Sequence, residues 1–176
     1  LNFGRTFYNI VHMSKKHILA QFAVKEDDLA KLCRKVGVKT LAVFGAFTEG
    51  LQLFASFAIL LNFPRFNKMK GMGQIVAWSA RDESLHTESI IKLYHTFLQE
   101  NPEVNTEEFR KEIYKICETI VTHEDAFIEL AFGMGDVQGI TEQDVKKYIR
   151  FIANRRLLQL GLQPIYQNVD KNPLPW

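Results

Sequence analysis

Glu83-Ser84-Leu85-His86, read together with Glu49, carries the chemistry this sequence offers most plainly. Residues three and four apart on a helix are neighbours, so Glu83 and His86 project from one face. A carboxylate beside an imidazole is half of a two-metal site. Helical bundles that hold two metals draw a lone Glu from each of two helices and a Glu-x-x-His from each of the other two. This chain offers one of each, Glu49 and then Glu83/His86, and no other His has a Glu three residues before it. Half of a ligand set is therefore expected. Oxygen donors with one imidazole per metal suit iron or manganese better than copper or structural zinc. Iron would direct such a centre toward reductive O₂ activation rather than hydrolysis. Two alternatives stay open at this level: a buried Glu–His hydrogen bond, and a pairing of Glu49 with an Arg.

Helices must carry these residues. The periodicity predicts a long buried helix over 38–63, stopped near Pro64, and a second over 66–99, ended by Asn101-Pro102. Gly71 and Gly73 weaken the first turns of the second helix. Long helices with a short connection lie antiparallel, which sets Glu49 opposite Glu83 and His86. On the first helix, Ala42, Gly45, Ala46, Glu49, Gln52 and Ser56 form a small or polar stripe amid Phe, Leu, Ile and Val. An unpaired carboxylate there is costly, and a cation would compensate it. The facing stripe is Val76, Ser79, Ala80, Glu83, His86 and Ile90.

A third helix is predicted over 106–132, capped by Asn105 or Thr106, with Glu107 and Glu108 in its first turn. Gly133-Met134-Gly135 stops it. A fourth runs over 141–160, with Thr141 as cap, Asp144 three residues on and Gly161 as the stop. Residues 161–176 read as an extended tail. Weaker helical signals lie at Arg5–Lys16 and Asp27–Lys35. The expected architecture is all-α, one domain over 1–176.

Composition removes several classes of function. Apolar content of 47% and charged content of 24% exclude a disordered chain. A net charge of +2 with no basic run gives nucleic-acid binding no support. Thr40–Phe63 is apolar and long enough to span a bilayer, but Glu49 and Gln52 near its middle are expensive in lipid. A buried central helix is apolar all round as well, and the reading is no membrane. Cys33 and Cys117 lack CxxC spacing, which fits a reducing compartment. Leu1-Asn2-Phe3-Gly4 shows neither an initiator Met nor a leader, so upstream sequence is expected to have been lost.

Two segments carry a resemblance. Glu49-Gly50-Leu51-Gln52-Leu53-Phe54-Ala55-Ser56-Phe57 and Trp78-Ser79-Ala80-Arg81-Asp82-Glu83-Ser84-Leu85-His86 resemble the small (β) subunit of class I ribonucleotide reductase. Asn154-Arg155-Arg156, Gly161-Leu162 and Asn172-Pro173-Leu174-Pro175-Trp176 resemble that family's last core helix and the stretch after it. Phe63-Pro64-Arg65-Phe66-Asn67-Lys68-Met69 resembles bacterial branches that include manganese/iron enzymes. The resemblance covers about Met13 to Trp176. It implies a ferritin-like helical bundle, incomplete at its N-terminus, and a dinuclear iron or manganese/iron centre. Glu49, Glu83 and His86 would be the second half of the ligands. Asp82 would hydrogen-bond a metal-ligand His of the other half and lie on the radical-transfer route; a plain salt bridge is its alternative. The first Asp ligand, the first Glu-x-x-His, the radical-bearing residue and the docking tail would all lie outside this chain. The implied partners are a second copy, through helices, and the large (α) subunit. The implied compartment is the cytoplasm.

The alternative functions are a catalytically silent or self-associating metal-binding bundle, and a related oxidase that is not a reductase partner. In the self-associating form, two copies would bring four Glu and two His to one symmetric centre. His123-Glu124-Asp125 reads as a solvated polar patch, because adjacent residues face different ways on a helix. Lys146, Lys147, Arg150, Arg155 and Arg156 read as a solvated basic helix end. His12, His17 and His95 read as surface or structural, and Trp78 as a core aromatic.

Overall fold

The computed structural model describes residues 43 and 45–174. All of them belong to the unit Lys39–Trp176. Arg5–Lys16, Asp27–Lys35, Cys33, residues 38–42 and Pro175-Trp176 lie outside the described residues.

Among the described residues every regular element is helical. A helical run over 45–48 leads into α1, Phe54–Arg65, after an irregular turn. Then come α2, Lys70–Glu100, a 3₁₀ turn at Pro102–Val104, α3, Glu107–Gly133, and α4, Glu142–Gln159. Helix α1 packs on α2 and on α4, and α3 packs on α4. Phe47, Leu51, Tyr94, Ile113, Ile128, Ile149 and Leu157 fill the space between them. No described helix is long and apolar enough to cross a membrane.

Local chemistry accounts for the ends. Pro64 sits in the last turn of α1, and the chain reverses through Asn67 and Met69, both at positive φ. Those two left-handed residues delay α2 to Lys70, past the predicted start at 66. The reversal is tight: a Cβ on Gly73 would strike the Pro64 ring. The Thr106 side chain accepts from the Phe109 N–H at the start of α3. Thr141 and Asp144 form both bonds of a capping box on α4. Gly161, at φ +77°, ends that helix in the left-handed conformation a Cβ disfavours.

After Gly161 the chain is irregular but anchored. Asn154 Oδ1 accepts from the Ile165 and Tyr166 N–H groups, both at 3.1 Å, and its Nδ2 donates to the Tyr166 carbonyl at 2.7 Å. The Gln163 N–H donates to the Tyr114 hydroxyl. Leu174 is buried.

One expected element is corrected. The helix predicted over 38–63 is broken across Glu49–Leu53. Leu51 and Gln52 N–H both donate to the Phe47 carbonyl, the second reaching back five residues, and the Phe54 N–H reaches back only three, to Leu51. A widened turn followed by a tight one offsets α1 from the helical run before it.

Candidate metal centre

The site forms where the first helical run crosses α2. The crossing is close because Gly45 lies against Ile90: a Cβ there would sit 2.8 Å from Ile90 Cδ1. One turn further along, Gly50 lies against Thr87 in the same way, at 2.8 Å from its Cγ2. Antiparallel register then sets Glu49 opposite His86 and Glu83. His86 Nδ1 is 3.2 Å from Glu83 Oε2 and 4.0 Å from Glu49 Oε2. One donor atom from each of the three lies within 4.8 Å of the others.

The electrostatics favour a cation. Burial, and then the Glu83 carboxylate, push the Glu49 carboxyl above the ordinary carboxylate range, while His86 draws it partly back. Two carboxylates and one imidazole therefore share a partly buried space that a divalent ion would neutralise. The donor set, oxygen-rich with one nitrogen, fits iron or manganese. The Thr87 hydroxyl donates to the Glu83 carbonyl at 2.7 Å, steadying that turn of α2.

Asp82 is exposed and makes no hydrogen bond or ion pair among the described residues. Trp78, expected in the core, is 59% exposed instead. At one residue per 100° of helix, Ile75, Trp78, Asp82, Leu85 and Leu93 share one face of α2, beside the ligand face, and all are exposed. His95 Nε2 lies 2.7 Å from the Gln159 carbonyl, a structural contact between α2 and α4.

Two expectations fail at the broken helix. Glu124 is no solvated patch: it is 4% exposed, and its Oε2 accepts from the Ala55 N–H at 3.2 Å. Arg156 is no solvated helix end: it is 6% exposed, and its Nε donates to the Gly50 carbonyl at 2.7 Å. Its Nη1 donates to Gln159 Oε1, and its guanidinium lies 5.4 Å from the centre of the Phe54 ring. Burial pushes Glu124 up to about 7 and Arg156 down to about 10. Asp125 and Arg150, also read as solvated, form a two-pronged ion pair at 2.9 and 2.6 Å.

A signal for both buried groups lies in the sequence. Ile113, Cys117, Ile120, Glu124 and Ile128 recur at steps of three and four, as do Ile149, Ile152, Arg156 and Leu160. Each charged residue occupies an inward position of an apolar stripe. Its immediate neighbours obscure the pattern.

The family model described as "Ribonucleotide reductase, small chain" matches residues 5–173. A protein named as a ribonucleoside-diphosphate reductase small subunit of Invertebrate iridescent virus 3 is 47% identical over 81% of this chain and 38% of its own length. The corresponding protein of Invertebrate iridescent virus 6 is 37% identical over 91% of this chain and 50% of its own. A crystal structure assigned to class I ribonucleotide reductase from Bacillus halodurans superposes with a TM-score of 0.74 at 30% identity, covering 78% of this chain and 44% of that one. The chain thus spans half or less of the length of these relatives.

Proposed function

The chain belongs to the ribonucleotide reductase small-chain family, with its all-α, ferritin-like bundle, and from that premise we propose that it supplies half of a dinuclear iron or manganese/iron centre. Glu49, Glu83 and His86 are the ligands in this reading. The observation that carries it is the convergence of those three donors, from two separate helical segments, within 4.8 Å. When bound, such a metal pair supplies the reductive O₂ activation that generates the radical for ribonucleoside-diphosphate reduction. The substrate would bind the large subunit.

The chain's own residues do three things. Glu49, whose carboxyl burial raises, would hold the ion against a competing proton. His86 Nδ1, 3.2 Å from Glu83 Oε2 and 4.0 Å from Glu49 Oε2, is the ring nitrogen that faces both carboxylates and would bind beside them. Asp82, exposed beside them, is the proposed hydrogen-bond partner of a His ligand in the other half and a member of the radical-transfer route. The exposed face with Ile75, Trp78, Leu85 and Leu93 supports self-association through helices, because apolar surface of this extent favours burial.

Metal content per chain tests the reading. Fe(II) or Mn(II) bound stoichiometrically by the wild type and lost in His86→Ala and Glu83→Ala supports it. Equal metal content in all three sinks it.

A further inference from the structure

We propose that Arg156 and Glu124 are positioning residues for the Glu49 ligand, clamping two of the backbone groups that the break beside it releases. The proposal rests on the metal reading of Glu49, Glu83 and His86.

The accounting of backbone partners carries it. In an unbroken helix the Gly50 carbonyl would accept from the Phe54 N–H, and the Leu51 carbonyl from the Ala55 N–H. Here the Phe54 N–H goes to the Leu51 carbonyl at 3.0 Å. The Gly50 carbonyl loses its donor and the Ala55 N–H its acceptor. Both are filled by ionisable side chains from other helices, Arg156 of α4 and Glu124 of α3. Buried backbone groups seldom go unpaired, so the break depends on these two partners. A charged group this buried is costly. An apolar residue would pack there with less penalty, unless the backbone requires a donor and an acceptor.

Space has been cleared for the clamp. A Cβ on Gly50 would strike the Ala46 carbonyl oxygen and stand 2.6 Å from Arg156 Nε, so the turn itself requires glycine, and its missing side chain also leaves room for the guanidinium. Thr87, on the other side of Gly50, directly follows His86. The clamped residue is thus next to one ligand in the chain and lies against the neighbour of another. Each residue of a regular helix turns about 100°. Closing the widened turn would therefore change the rotation of Glu49 relative to α1.

The test is Co(II) titration of the full chain, following affinity and the visible ligand-field spectrum. Arg156→Met is expected to weaken binding by about 10- to 100-fold, the range for groups that orient metal ligands, and to change the spectrum. Arg156→Lys, which keeps a charged donor, should restore most of the affinity. In a Glu49→Ala background the Arg156→Met loss should vanish, because the effect runs through Glu49. Ile128→Ala, a core truncation on α3, should lower stability without that spectral change. Should Arg156→Met not fold, Glu124→Ala gives the same reading from the other end of the break. Wild-type affinity and spectrum in a folded Arg156→Met or Glu124→Ala overturn the proposal, as does a full loss that persists without Glu49. In either case the metal reading survives. A wild type that binds no Co(II), or binds it unchanged in His86→Ala, overturns the metal reading and the clamp with it.

Discussion

Replacing Glu124 by Gln separates what its carboxyl does as an acceptor from what its ionisation costs. The side chain is almost fully enclosed and accepts from the Ala55 N–H at 3.2 Å. A carboxamide oxygen can accept the same bond. Burial lifts the carboxyl from 4.5 to about 7, against a partial lowering by that backbone bond and a small lift from Asp125. The folded state thus resists ionisation that the unfolded chain accepts readily. The linked stability is fully present below the unfolded value of 4.5 and is lost as pH rises through about 7. At about 1.4 kcal/mol per pH unit, the loss is on the order of 3 kcal/mol. Urea denaturation of wild type and Glu124→Gln from pH 4.5 to 8.5 measures it. The two should lie within about 1 kcal/mol at the acid end, where both side chains are neutral. The variant should be the more stable by up to about 3 kcal/mol at the alkaline end. Parallel stability curves, or a variant weaker than wild type at pH 8, would refute the assignment of Glu124 as a buried, reluctant acid.

Other outcomes follow from the same geometry. Gly50→Ala must shift the Ala46 carbonyl as well as Arg156 and Thr87 and should cost at least about 1–3 kcal/mol, read by chemical denaturation. Thr141→Ala removes the side-chain acceptor for the Asp144 N–H, while the Thr141 N–H still reaches the Asp144 carboxylate, and should cost about 1 kcal/mol, seen as a lower melting temperature. Metal affinity should rise with pH, because burial raises the Glu49 carboxyl's affinity for a proton that competes with the ion; titration calorimetry at a series of pH values reads the effect.

The sequence by itself determined what depends on near neighbours. Thr106, the Thr141–Asp144 box and Gly161 specify helix ends because caps act within one turn. Glu83 and His86 share a face because helical spacing puts them there. The short connection after Pro64 implies antiparallel helices, and so the approach of Glu49 to α2. The tertiary structure alone decided the break at the ligand. Its two partners stand 69 and 106 residues away in the chain. No local preference records that a carbonyl at Gly50 will meet a guanidinium from α4. Glu124 and Arg156 resemble solvated charges beside their sequence neighbours, and become buried only when α3 and α4 close over α1. Helix formation is a short-range matter of backbone bonds and caps, whereas a buried charge is stable only where the assembled fold supplies its partner.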